Sequence, residues 1–531
     1  MIKKILMLIL IPVALTAQEH KQNQQSVELP EFVITGVERI SLPAVSKPKA
    51  ELISTLSNEF FKPQYSPEEL QITELSNPIR KDITFVNNVK KYNGRLTLGA
   101  GIYTMPMGEL VYGNNFDSGL LTGRLWGLNQ MSYEGDNSGY NTSGIELKSS
   151  FFKSHSSGFL PGTKLTLGGD YLREAYRFFK SVQPDIQRDI YKGNINFGLD
   201  NLSIENFKFG AFINERFFEA KDIAFTENTF NAKGFIETGF NGYTFGFKTN
   251  YINQNIQNPV SLYFGFWENS IYIKLKPFDD IQAGGGIYLA GTGSDKTPLF
   301  FGNVIIKIND KLSFLVEMNP CSEFTTIADL IHINRYLNKD SVQKNIFTDN
   351  KLNIKAALKY EYETYFEIDG GFRVAEFNNF IYFTENTVQE GRFDVKTTSA
   401  KRFSGFVNLL FHPGPYGIFY GNLEIQNIKD KDGWIIPYNS NIHSSLSYEL
   451  NFKSGLNILS SFEFYSSAYT DLTNTHKLNA YADLRLRPGY EAMKNLNIFT
   501  EFSNILNQEN CKWGSYKEKR RDVVIGIDYK F

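Results

Sequence analysis

Val523-Val524-Ile525-Gly526-Ile527-Asp528-Tyr529-Lys530-Phe531 ends the chain, and its alternation decides the fold. Val523, Ile525, Ile527, Tyr529 and Phe531 are large and apolar, whereas Gly526, Asp528 and Lys530 between them are small or charged. Only Val524 breaks the pattern. Successive side chains of a strand point to opposite faces, so this strand has one apolar and one polar face. A strand of this kind, ending on an aromatic residue at the apolar face, fits the wall of a barrel that meets lipid outside and a polar lumen inside.

The same period recurs upstream. Leu96, Leu98, Ala100 and Ile102 alternate with Arg95, Thr97, Gly99 and Gly101, and Tyr243, Phe245, Phe247 and Tyr251 alternate with Thr244, Gly246, Lys248 and Asn250. Leu352 to Leu358, Phe366 to Phe372, Ile442 to Phe452 and Leu478 to Leu486 repeat it. One alternating run is weak evidence for a strand, but its repetition from Asn93 to the C-terminus is strong. The connections also alternate. Short ones at Asn309-Asp310, His412 to Pro415 and Arg487 to Asn495 trade places with long polar ones at 132–141, 319–350, 428–440 and 506–521. Short turns at one end and long loops at the other are the transmembrane-barrel pattern. Counting back from the C-terminus gives an all-β, transmembrane antiparallel barrel of about 22 strands, give or take two, with both ends in the periplasm. A soluble β-sandwich array or propeller would show turn signals at shorter and more even spacing.

The N-terminus predicts export. Lys3 and Lys4 precede the apolar run Ile5 to Leu15, and Thr16-Ala17 ends it, so residues 1–17 read as a signal peptide. No cysteine follows for a lipid anchor. Residues 18–92, rich in Pro, Glu, Gln and Lys, read as a periplasmic N-terminal segment, and 93–531 as the barrel. Of the 531 residues, 15% are aromatic and 42 are glycine, with a formal net charge of −2. Aromatic girdles and glycine at bends suit a barrel, and near-neutral charge gives no support for a nucleic-acid partner. The place this implies is the outer membrane of a Gram-negative bacterium, with lipid as the first partner.

Two stretches resemble the TonB-dependent outer-membrane receptors. Glu28-Leu29-Pro30-Glu31-Phe32-Val33-Ile34-Thr35-Gly36 is similar to that family's Ton box. The resemblance implies that Glu31, Phe32, Val33, Ile34, Thr35 and Gly36 bind the energy-transducing TonB protein or another periplasmic protein. Physically, a β-prone run between Pro30 and Gly36 suits strand addition to a partner. A strand packed on the barrel's own mouth is the alternative. The second stretch, Asn495 to Asn507 continuing through Trp513, Gly514 and Tyr516 to Phe531, is similar to the family's last hairpin. It implies that Val523, Ile525, Ile527, Tyr529 and Phe531 form the closing strand met by the barrel-assembly machinery. The chain departs from the family between Gly36 and Asn93, where Pro43, Pro48, Pro63, Pro67 and Pro78 stand and plug-like strand content is lacking. A missing or reduced plug is therefore expected, which puts siderophore-style uptake in doubt.

Motifs for catalysis are not found: the sequence contains no Walker loop, no H-E-x-x-H and no paired C-x-x-C. No catalytic residue, metal or cofactor is expected, and the six histidines lack metal-ligand spacing. Gly284-Gly285-Gly286 reads as a close-packed strand rather than a phosphate loop. Cys321 and Cys511 are placed in two outer loops, and pairing between them is not expected. Ile327, Leu330, Ile331 and Ile333 predict a short amphipathic helix folding into the lumen, with an ordinary outer loop as the alternative. Arg373, Asp369, Glu449, Asp483, Arg485 and Arg487 are expected to point inward and satisfy one another or water, with tuning of a permeating solute as the alternative. The function expected is TonB-linked transport of a solute, with a structural or assembly barrel and a passive porin-like channel as alternatives.

Overall fold

In the computed structural model, residues 92–531 are described, apart from 154–159, 203, 205, 259, 293–294, 339–345, 364, 413–416 and 453. The leader 1–17 and the Ton-box-like residues Glu31 to Gly36 lie outside the described residues.

The wall is a closed antiparallel barrel of 22 strands. Closure is direct: Gly94–Gly101 pairs with Asp522–Lys530, Leu96 opposite Tyr529 and Leu98 opposite Ile527. The seam is fastened below by Gly94 N donating to Phe531 O at 2.9 Å and Phe531 N donating to Gly94 O at 3.0 Å. The remaining strands pair with their sequence neighbours all the way round. No helix among the described residues is long and apolar enough to cross a membrane.

Period-2 alternation becomes a belt once the strands are in register. Ile236, Phe247, Ile271, Ile287 and Phe300 stand side by side on five neighbouring strands. All five are exposed on the outer face, Ile271 at 69%. The residues between them point inward and pair with one another. Glu109 takes Arg95 at 2.7 Å and Arg124 at 2.5 Å, and Asp528 takes Arg487 at 2.8 Å. Asn408 donates to Asp369 at 2.9 Å, and Arg485 pairs with Asp483 at 2.7 Å. Such pairing keeps buried charges satisfied where the lumen narrows. Gly526 has a specific reason: a Cβ there would lie 2.3 Å from the ring of Phe499, which crosses the strand in the interior.

The expected strand boundaries need three corrections. The segment Arg487 to Asn495 is not a turn; Tyr481–Met493 runs through it as a strand. Pro488 is tolerated because the ladder to the next strand skips from Leu486 to Gly489, so its missing N–H is not needed there. The long loop 319–350 shrinks, because Cys321–Thr325 and Ile346–Tyr362 pair as strands. Asn319-Pro320 only interrupts the strand that begins at Leu312–Met318. Cys321 therefore sits in the wall rather than in a loop, and among the described residues neither cysteine forms a disulfide. Leu478 belongs to a two-residue ribbon outside the barrel sheet. Gly284 to Gly286 lie within Ile281–Thr292, as the strand reading expects.

One end holds the start of Gly94–Gly101, Phe531 and mostly tight turns, such as 241–242 and 494–495. The other end holds the long loops 131–139, 178–186, 431–441, 466–480 and 504–521 and the described residues 326–338. The wall is uneven in height, from eight residues in Gly94–Gly101 to 20 in Phe366–Glu385. At about 3.3 Å per residue the tall strands reach well beyond a bilayer's hydrocarbon core.

The lipid belt generates a prediction. Ile271→Arg, at the middle of its strand, is expected to cost about 2–4 kcal/mol, whereas Gln282→Arg on the lumen face costs little. Urea unfolding of the barrel refolded into lipid vesicles checks the difference.

Candidate functional site

Apolar packing inside the barrel is concentrated at the loop-rich end. It is built around helix α1, Ile327–Ile333, which bears out the amphipathic reading of this loop. Thr326 caps the helix: its hydroxyl accepts from Asp329 N at 3.2 Å, and Asp329 Oδ2 accepts from Thr326 N at 3.1 Å. This reciprocal pair is a capping box and satisfies two otherwise orphan donors. At the other end Asn334 N donates to Leu330 O at 2.9 Å. Ile327, Ala328, Leu330 and Ile331 are buried.

These side chains pack against wall residues from opposite sides of the barrel. Tyr176, Ile190, Phe218, Phe225 and Ile256 come from one arc, Phe383 and Phe393 from another, and Tyr516 from the last loop. All join a single buried cluster with Phe178, Tyr336 and Leu337. Each fully buried Leu, Ile or Phe contributes about 1.5–3 kcal/mol. This hydrophobic cluster thus bridges the two arcs at the loop-rich end.

Polar groups fix α1 to the wall on one side. Arg216 donates to Asp329 Oδ1 at 2.8 Å and to Thr326 Oγ1 at 2.9 Å. Glu227, buried, accepts from Ile327 N at 3.0 Å and Ala328 N at 3.2 Å, placing a carboxylate on the helix's first amides. Arg188 is fully buried; it pairs with Asp222 at 3.0 Å and donates to Leu337 O at 3.1 Å. Tyr176 Oη donates to Arg335 O at 2.7 Å.

The segment after α1 is held on the other side. Leu337 forms a parallel bridge with Phe393, Phe393 N donates to Tyr336 O at 3.1 Å, and Asn338 N donates to Phe393 O at 2.7 Å. Tyr336 stacks on Tyr516 with ring centroids 3.5 Å apart, and Tyr516 Oη donates to Gly391 O at 2.7 Å. Loops 178–186 and 386–392 meet above this stack. Gly391, at φ +77°, lies so close to loop 178–186 that a Cβ would stand 2.5 Å from Lys180 O. Only glycine meets both demands at that point. Phe178 is clasped between the guanidinium groups of Arg188 at 4.7 Å and Arg392 at 3.7 Å. A smaller cluster of Tyr382, Ala400, Ile428 and Ile436, with Leu472 against it, extends the closure under loops 431–441 and 466–480.

Electrostatics keep the latch ionised. Burial works against the Asp329 carboxylate, but Arg216 and the Thr326 hydrogen bonds outweigh it and hold its pKa below the usual value. Burial pushes the Tyr336 and Tyr516 phenols up, so both stay neutral.

The structure sets Ile525, Ile527, Tyr529 and Phe531 on the lipid face, with Val523 beside them in the closing strand. It does not bring them near the closure of the mouth. Arg188, Arg216, Asp222, Glu227 and Phe178 carry the closure without having been singled out in the sequence. The only local hint was the charge of Arg188 and Arg216 at lumen-facing positions. Inward His443 stacks on Tyr465 with centroids 4.4 Å apart.

No family model and no curated protein matches the chain by sequence. Solved structures do match it by fold. A mutant of the ferric enterobactin receptor of Pseudomonas aeruginosa aligns with a TM-score of 0.62 at 9% identity, over 82% of this chain and 80% of that one. The FrpB iron transporter of Neisseria meningitidis aligns at 0.61 and 11% identity, over 83% and 82%. The copper transporter OprC aligns at 0.61 and 10% identity, over 82% and 80%. The barrel thus resembles those of the TonB-dependent receptors, as the closing hairpin implies, and its fold fits an outer membrane. These matched proteins are transport receptors rather than enzymes.

Two outcomes follow for the closure. Arg188→Ala leaves Asp222 buried without its cation and is expected to loosen the mouth by about 3–5 kcal/mol. Hydrogen exchange at the Leu337 and Asn338 amides should accelerate, while the heat-modifiable gel shift of the intact barrel persists. The Asp329 latch has a lowered folded pKa, so its contribution is complete above the unfolded value of about 3.9 and fades as pH falls through the folded value. Exchange protection of residues 326–333 should therefore hold from neutral pH down to about pH 5.

Proposed function

We propose that this chain is an outer-membrane transport barrel whose outer mouth is closed by its own loops and opened by a pull from the periplasm. One observation carries the reading: the closure is made of loop segments docked on the wall, not of the wall itself. A plug built from docked segments can be displaced while the hydrogen-bonded cylinder stays whole, because the two share few backbone ladders. Residues 31–36 supply the grip, by addition of Phe32 to Thr35 as a strand to TonB. The closing strand Val523 to Phe531 serves the assembly machinery on the way to the membrane. What the solved relatives are named for, iron chelates and copper, illustrates the kind of cargo such a cylinder can carry.

A passive porin is disfavoured, since a mouth filled by Phe, Tyr and Ile side chains conducts poorly. A structural barrel that anchors a partner is the second reading, and the density of the apolar closure favours it: a permanently closed cylinder can serve as a scaffold. Planar-bilayer recording separates these. The intact protein is expected to show little steady conductance. Leu330→Asp with Ile331→Asp, which places two charges in the closure, should give large open steps and raise mean conductance by roughly tenfold or more, the equivalent of about 1.4 kcal/mol per decade of open probability. A large steady conductance in the intact protein would sink the closed-mouth reading. Deleting residues 28–36 should abolish energy-dependent uptake while leaving the bilayer behaviour unchanged; loss of partner capture without loss of uptake would favour the scaffold.

A further inference from the structure

Below the closure, one arc of the lumen carries more positive charge than it balances. Lys208, Lys233, Lys248 and Lys274 lie on four consecutive strands, Phe207–Ala220 through Val260–Phe278. They alternate with the lipid-facing belt of Ile236, Phe247 and Ile271, and so face inward. Two of them are arranged about one ring. The Lys248 and Lys274 ammonium groups lie 5.1 and 5.3 Å from the centroid of Tyr272. That ring is laid against the wall over Gly246, where a Cβ would stand 2.1 Å from it. Glycine at 246 therefore makes room for a flat aromatic platform between two cations.

The acids nearby are already engaged. Glu237 accepts from Tyr272 Oη at 2.6 Å and pairs with Lys274 at 2.7 Å, and Lys208 stands opposite it in the register. Glu268 accepts from Asn250 at 3.1 Å and from Tyr288 at 2.9 Å. Among the described residues Lys233 and Lys248 have neither an ion pair nor a side-chain hydrogen bond. At other points of the lumen lining charges do pair, as at Glu109, Asp483 and Asp528. Like charges left unpaired in a confined, low-dielectric lumen repel, and an anion relieves that repulsion.

We infer that Lys248 and Lys274, set around Tyr272, together with Lys233 on the strand next to that of Lys248, form a lumen site for a small multivalent oxyanion bearing carboxylate or phosphate groups. Ammonium groups on flexible stems offer rotatable point-charge donors, which suit such an anion without demanding bidentate geometry. The inference rests on the reading of the lumen as a solute path and names the class of solute. It places the site on the terminus-bearing side of the closure, where the solute would pause after crossing the mouth.

Calorimetric titration of the full-length protein in detergent at low salt, with citrate and separately with inorganic phosphate, tests it. Binding of at least one of the two is expected. Lys233→Ala with Lys248→Ala should weaken binding by about tenfold or more, and added potassium chloride should weaken it in the unmodified protein. Lys233→Arg with Lys248→Arg should retain binding, which separates lost charge from a damaged barrel. Absence of binding by either anion, or equal binding by the alanine variant, overturns the inference. Vesicle swelling with the Leu330→Asp, Ile331→Asp barrel tells this failure from that of the transport reading: passage of sugars with no anion binding removes only the site, whereas no passage of any solute removes the path.

Discussion

Lipid offers the backbone no hydrogen-bond partner, and every other feature of this protein depends on how that constraint is met. The seam between Gly94–Gly101 and Asp522–Lys530 meets it by joining the first and last strands of the wall. Until the seam forms, two edges stand exposed; once formed, the cylinder has none. Closure also fixes the register of the whole wall. A slip of one residue would turn Ile271 into the lumen and Lys248 into lipid, reversing both faces at once. The alternation of the last strand is thus a local sign of a global requirement.

A cylinder satisfied in this way has no core of its own. Its outside is solvated by lipid and its inside by water and paired charges. Among the described residues the larger buried apolar cluster forms where α1 and the loops around it meet inward side chains of the wall such as Tyr176, Phe218 and Phe393. Because the closure is a core in its own right, it obeys the rules of a small globular domain: buried Ile, Leu and Phe, a capped helix and satisfied polar groups. Because its parts arrive from distant loops, it assembles only after the wall has brought Tyr176, Phe393 and Tyr516 to one mouth.

This order explains what could be read in the sequence. The wall was legible because period 2 is local: Leu96 to Ile102 or Tyr243 to Tyr251 reveal their faces with no knowledge of neighbours. The helix was legible for the same reason, since Ile327, Leu330, Ile331 and Ile333 share one side of a short helix. Its partners were not. Arg188 and Asp222 are a hairpin apart and look like any two lumen charges until Leu337 O arrives between the walls. Phe178 reads as loop until Arg392, more than 200 positions away, closes over it. Pro488 misled because proline marks turns, but a skipped rung at Leu486 to Gly489 admits it to a strand.

The ion pairs in the closure are best understood together with its apolar packing rather than as added strength. Hydrophobic contact alone is indifferent to direction and would let α1 settle in several orientations. Arg216 holds the capping box and Glu227 the first amides, both at the N-terminus of the helix, so they admit one placement of it. Desolvating these charges offsets much of what their attraction supplies, which leaves their net stabilisation small and their geometric selectivity large. A closure of that kind has a sharp native position yet no excess of stability. Displacing it exposes carboxylates and guanidinium groups that water solvates well, so the open state is less costly than the loss of an all-apolar plug would be. The same chemistry that seats α1 therefore lowers the work needed to move it, which is what a transport mouth requires and a permanent seal does not.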